Sequence, residues 1–171
     1  MTHMVDTEYF ISTESAWLDL ELIHQFLSEH SYWAPGIPRD VVARSIANSL
    51  CFGVYAFGKS APDPDRRQVG FARVATDRAT FAYLADVFIL PEHRGQGLSK
   101  RLMEAVLAHP DLQRLRRWML ATADAHDPRP QPIRPIHRAQ IEEGRLANVV
   151  SLLATASQAR QRSTVQPLSG I

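Results

Sequence analysis

The chain is short of cysteine. Cys51 is the only one in 171 residues, which removes any intrachain disulfide and any CxxC metal or redox pair, and its apolar surroundings predict a buried core residue. Charge of one sign is also missing: a net charge of +1 gives no global attraction to nucleic acid or to an anionic membrane. No run approaches the roughly 20 apolar residues of a membrane-spanning helix, and the polar start MTHMVDTEY is no signal peptide. A cytoplasmic location with no membrane partner is therefore expected. Aromatic residues stop early, since no Phe, Tyr or Trp occurs from Asp127 to Ile171. What is present, 45% hydrophobic content, suffices for one domain with a real core.

The most informative stretch is Tyr83 to Ala108, which reads strand, tight loop, helix. Tyr83 to Leu90 is almost wholly apolar and stops at Pro91, as in a strand buried on both faces. After the charged Glu92-His93-Arg94 comes Gly95-Gln96-Gly97, and Leu98, Leu102, Ala105 and Val106 then fall at helical spacing until His109-Pro110. A glycine turn opening a helix leaves backbone N–H groups pointing outward at the positive end of the helix dipole. Such a turn suits phosphate or pyrophosphate. It lacks the lysine and Ser/Thr of a P-loop, and an antiparallel meander ahead of it does not suit a dinucleotide fold.

The remaining elements follow from periodicity and breakers. Tyr9 to Ile11 predicts a short edge strand, and the apolar spacing of Leu18, Leu22, Ile23, Phe26 and Leu27 predicts one amphipathic helix over about residues 15–29. Ser31 to Pro38 breaks it and carries Tyr32 and Trp33, which suit either the wall of a substrate pocket or a hydrophobic plug between helices. A second helix follows Pro38. Cys51 to Phe57, Gln68 to Ala75 and Thr80 to Leu90 predict three meandering strands, and Leu115 to Leu120 a further strand parallel to the last of them.

The string Leu84-Ala85-Asp86-Val87-Phe88-Ile89-Leu90-Pro91-Glu92-His93-Arg94-Gly95-Gln96-Gly97 resembles the acetyl-CoA-binding segment of the GNAT superfamily of N-acyltransferases. That family carries Gln/Arg-x-x-Gly-x-Gly/Ala at the start of the helix after its fourth strand. Here the positions are Arg94, Gly97 and Ser99, with serine replacing the small residue. The resemblance covers about residues 9–127 and implies an α/β (α+β) fold, a mixed and mainly antiparallel sheet flanked by helices. It implies an N-acetyltransferase that moves an acetyl group from acetyl-CoA to a primary amine of a small molecule or peptide by direct attack, with no metal. The coenzyme would lie on Arg94, Gly95, Gln96, Gly97, Leu98 and Ser99, with charge from Arg94 and from Lys100 or Arg101, and its pantetheine arm along Val87, Phe88 and Ile89. The N–H of Val87 or Phe88 would face the oxyanion.

Asp86, the only acid in an otherwise apolar strand, is the candidate base. A structural reading has the same carboxylate bonded to Tyr83, His93 or backbone amides. Tyr32, Trp33 and Arg73 are the candidate acceptor-binding residues, Arg73 meeting a substrate carboxylate or serving as a surface cross-strand partner.

The resemblance ends after His126. Family members continue with a tyrosine-bearing helix and a closing strand, whereas this chain puts Arg129 at the tyrosine position within a proline-rich run to Pro135. The division expected is residues 1–127 as the coenzyme-binding domain and 128–171 as an atypical Pro/Arg-rich segment, six arginines against two glutamates, with a helix over 140–158 as one reading. A shifted reading frame near residue 127 is another, because Ile133-Arg134 can be encoded ATT-CGN, whose next frame gives TTC-GN, the beginning of a Phe-Gly pair. Two alternatives to an active enzyme follow: an acyl-CoA-binding regulatory protein impaired in turnover, and a nucleic-acid binder acting through the arginine-rich tail. The second is disfavoured by the missing aromatic platforms. Homodimerisation through an open sheet edge is a further expectation.

Overall fold

The computed structural model describes residues 7–58, 66–120 and 134–136, the last three and Leu120 as backbone only. Their organising element is one sheet in the order β1-β2-β3-β4-β5-β6. The strands are β1 (Thr7–Ser12), β2 (Leu50–Gly58), β3 (Arg67–Thr76), β4 (Phe81–Ile89), β5 (Arg117–Leu120) and β6 (Arg134–Ile136). Neighbours are antiparallel except β4 and β5, which run parallel from Phe81–Arg117 to Leu84–Leu120. The meander and the parallel crossover match the sequence expectation.

Helices cover both faces of the sheet. On one side α3 (Leu98–Ala108) sends Leu98, Leu102, Met103 and Val106 into a core with Phe52, Val54, Val74, Leu84, Val87 and Ile89. On the other, α1 (Leu20–Gln25), the turn that follows it and α2 (Arg39–Ala47) bury Ile23, Phe26, Leu27 and Val42 against Cys51, Phe71 and Phe88. Phe26 and Phe88 stack with centroids 3.9 Å apart, an aromatic contact that ties the first helix to β4. Cys51 is buried, as its apolar setting predicted.

The single helix expected over residues 15–29 is instead three pieces. A 3-10 turn, Ser15–Trp17, is capped by the Glu14 side chain, and the chain is extended again at Leu18 and Asp19. Asp19 then caps α1, its Oδ1 accepting from the Leu22 N–H at 3.0 Å, while its own N–H donates to Gln68 Oε1 at 2.7 Å. A π-helical turn, Phe26–His30, finishes the element, with the Ser31 N–H reaching the Phe26 carbonyl. A fresh start at the Asp19 cap, inside the apolar repeat, explains the difference, because periodicity reports a buried face and not unbroken backbone.

The end of the sheet differs too. No closing strand was expected after Asp127, yet β6 pairs with β5 through Trp118–Ile136, Met119–Pro135 and Leu120–Arg134. Pro135 is compatible with such a place, where only one side of the strand needs donors. The helix considered over residues 140–158 lies outside the described residues.

Candidate active site

The site is built on a fault in β4. Phe71 pairs with Phe88 and Arg73 with Ala85, so Ala72 alone faces both Asp86 and Val87. This is a β-bulge, and its first residue, Asp86, has φ 53°, a left-handed conformation usually reserved for glycine. Strict alternation from Leu84 would send residues 86 and 88 into the α3 core. The inserted residue reverses the parity, so Val87 and Ile89 pack on that side while Phe88 joins the α1–α2 cluster.

Asp86 is thereby aimed at the α1–α2 side. Its Oδ1 accepts the indole N–H of Trp33 at 3.1 Å, and its Oδ2 accepts Nε–H of Arg73 at 2.6 Å. Arg73 also donates from Nη1 to Ser49 Oγ at 3.2 Å. The two charged side chains are 18% and 13% exposed, so this pair is mostly buried and less screened than a surface salt bridge. These partners replace those of the structural reading: His93 instead meets the Tyr9 hydroxyl at 3.0 Å. Arg73 is a cross-strand partner, of Asp86 on β4, but a largely buried one and not a surface one. Tyr32 packs edge-on to Trp33, with centroids 5.0 Å apart, in the connection between the π turn and α2. That connection is pinned by Ser31 Oγ to the Leu27 carbonyl, by the Gly36 N–H to the Ser28 carbonyl and by His24 Nε2 against the Ile37 carbonyl.

Beside this cluster lies Cys51, the register partner of Arg73. Burial pushes its thiol up to about 12, Arg73 opposing and Asp86 reinforcing the shift, so the group is a neutral thiol at physiological pH.

Three residues after the bulge β4 ends, and Pro91–His93 makes a single 3-10 turn into the glycines. Gly95 and Gly97 have φ 78° and 72°, and a Cβ on either would meet nothing within 4 Å. Glycine is required there by backbone conformation, and the space above it is open. Gly97 begins α3 without a side-chain cap, so the first-turn N–H groups of Leu98, Ser99 and Lys100 have no intrahelical acceptor. That matches what an anion needs at a helix start. Arg94 turns back, Nε–H donating to the Ile89 carbonyl at 2.9 Å, and Arg101 donates from Nη2 to the Tyr9 carbonyl at 2.8 Å. Tyr9 thus joins β1 to the 3-10 turn through His93 and to α3 through Arg101, a brace that the sequence reading did not single out. The pairing of β4 with β5 stops at Leu84–Leu120, and beyond it Ala85 to Ile89 has no strand on that side among the described residues. Val87, Phe88 and Ile89 are in this stretch.

Among the described residues no group of three or more His, Cys, Asp or Glu could hold a metal ion. No described helix is long and apolar enough to cross a membrane.

A mixed sheet with a bulged fourth strand running into a glycine turn and an uncapped helix defines an acyltransferase type of architecture, and comparison with known proteins gives the family. The model of the GNAT acetyltransferase family matches residues 14–129. A Gibberella zeae protein assigned as an acetyltransferase is 36% identical over 132 residues, 68% of this chain and 73% of its own. A crystal structure from Xanthomonas campestris pv. campestris, assigned to the same family, is 56% identical with a TM-score of 0.61, covering 70% of this chain and 78% of its own. The chain belongs to the GNAT family of acetyltransferases.

Proposed function

We propose that the protein transfers an acetyl group from acetyl-CoA to a primary amine of a small molecule or peptide. The observation that carries this reading is the open glycine turn at the start of α3, placed directly after a strand whose bulge turns its only carboxylate toward the acceptor side. Gly95 to Ser99 would hold the pyrophosphate through backbone N–H groups, with Arg94 and Arg101 adding charge. The backbone of Val87, Phe88 and Ile89 would pair with the pantetheine arm.

In the reaction the amine must first lose a proton. Asp86, directly or through one water, takes it, and Trp33 holds the carboxylate still while it does so. The nitrogen then bonds to the thioester carbon, the N–H of Val87 or Phe88 faces the developing oxyanion, and the C–S bond breaks to release thiolate. A thiolate leaves without obligatory protonation, so the missing tyrosine slows the reaction more than it forbids it.

A second reading, an acyl-CoA-binding protein impaired in turnover, is favoured by one observation: the family match stops at Arg129, and no tyrosine follows. Calorimetric titration with acetyl-CoA, repeated on Gly97→Glu, tests the coenzyme site. Thiol release over a panel of amines then separates the two readings. Micromolar binding that Gly97→Glu abolishes, with thiol release on at least one amine, is the result expected. Binding without release on any amine supports the second reading, and no binding removes both. A cytoplasmic location and a homodimer joined at a sheet edge complete the proposal.

A further inference from the structure

We infer that the acceptor is zwitterionic: a small amino acid or amino carboxylate, whose carboxylate pairs with Arg73 while its amine pairs with Asp86. The inference rests on the acetyl-transfer reading and names its substrate class.

The reason is the charge balance of the site. A carboxylate awaiting an ammonium would ordinarily attract it, but here a guanidinium already lies 2.6 Å from Asp86, and both side chains are largely buried. The pair sums to zero. A simple amine approaching Asp86 therefore meets a like charge beside it. Displacing Arg73 to make room would leave that charge buried without a partner, the costly outcome for any desolvated pair. An acceptor bearing both charges avoids this, because it inserts into the pair and satisfies each member.

The surroundings suit such an exchange. Each partner has a second anchor, Trp33 Nε1–H on Asp86 and Ser49 Oγ beneath Arg73, so neither loses its position when the other lets go. Arg73 uses two of its five N–H donors and Asp86 two of about four lone-pair sites, which leaves room on both for a ligand. Cys51, which faces Arg73 across the β2–β3 pairing, is a neutral thiol and brings no charge. The reaction itself favours release. The ammonium gives up one proton to Asp86 and on to solvent, the C–N bond forms, the C–S bond breaks, and the second proton lost by the nitrogen ends on the departing thiolate. The resulting N-acetyl product keeps its carboxylate but has lost its cation, so Asp86 is free to recover Arg73.

The test compares matched ligands on the full chain saturated with CoA, which cannot turn over. Alanine is titrated against ethylamine, phenylalanine against phenethylamine and lysine against cadaverine, with binding read by calorimetry. At least one amino acid is expected to bind about 100-fold more tightly than its own amine, within the range seen when one partner of a buried, hydrogen-bonded charge pair is removed. Arg73→Met should erase that difference and Arg73→Lys should keep part of it. Should Arg73→Met fail to fold, Arg73→Met combined with Asp86→Asn removes both charges and answers the same question. Equal affinity within every pair, or no binding of any amino acid, overturns the inference. Thiol release with acetyl-CoA keeps the two ideas apart. Amino acids that bind without being acetylated leave the zwitterion site standing and count against turnover; amines acetylated while amino acids neither bind nor react do the reverse.

Discussion

Asp86 is a residue whose conformation and chemistry point the same way. A left-handed non-glycine residue costs about 1–2 kcal/mol for most side chains, less for Asp or Asn, and is kept where the surroundings demand it. Asp86→Asn tolerates that backbone and still accepts from Trp33, but it can neither take a proton nor balance Arg73. Acetyl transfer should fall by about 10²–10⁴-fold with the fold retained, measured as kcat/KM beside a circular-dichroism melt. Full activity in this variant would remove Asp86 as the base.

A second residue-scale prediction concerns pH. Burial pushes the Cys51 thiol and the Tyr55 phenol up to about 12, and both are neutral when protonated. In the unfolded chain they ionise near roughly 8.5 and 10. Their contribution is therefore intact below about pH 8.5 and is lost as pH climbs toward 12, at up to about 1.4 kcal/mol per pH unit for each group. Urea midpoints at pH 8, 9, 10 and 11 should fall progressively, and less steeply in Tyr55→Phe. At neutral pH that variant should gain about 1 kcal/mol, because the buried Tyr55 hydroxyl has no hydrogen-bond partner among the described residues. Asp86 was visible in the sequence as a lone acid in an apolar strand. Its partners were not, since Trp33 and Arg73 stand 53 and 13 residues away and meet it only through folding.

At the level of elements, α3 and its turn were legible almost to the residue, whereas the first helix was not. Gly95-Gln96-Gly97 before an apolar repeat names its own geometry, because only glycine takes φ near +75° without strain. Gly97→Ala should lower stability by about 1–2 kcal/mol through that conformation alone, as its Cβ meets nothing. Coenzyme affinity should drop by more than the stability change implies, since the added methyl stands over the turn proposed to receive the phosphates. A calorimetric titration beside a thermal melt separates the two effects, and unchanged affinity would move the coenzyme elsewhere. In the first helix the equivalent test is Asp19→Ala. Loss of the side-chain cap on α1 should cost about 1 kcal/mol, read as a shift in urea midpoint. The bulge in β4 left no mark in its sequence: Tyr83 to Leu90 is apolar on both faces apart from Asp86, so no alternation existed whose reversal could be noticed.

For the whole molecule the open issue is the stretch beyond β5. β6 covers the outer edge of β5, so a chain ending at Asp127 should expose that edge and self-associate. Its coenzyme affinity should stay within about tenfold of the full chain, because the turn and β4 precede the cut. Sedimentation and calorimetry check both statements, and a large loss of affinity would show that the tail supports the coenzyme site. The sequence by itself determined the order of elements from β2 to β5 and the strand-turn-helix that suits an anion, because these depend on local spacing and on which backbone conformations each residue permits; the family came from the resemblance of the string Leu84 to Gly97. Tertiary structure alone decided which way Asp86 points and what holds it. One inserted residue in β4 reversed the strand's faces, and only then could a tryptophan from the first helical connection and an arginine from β3 converge on the same carboxylate.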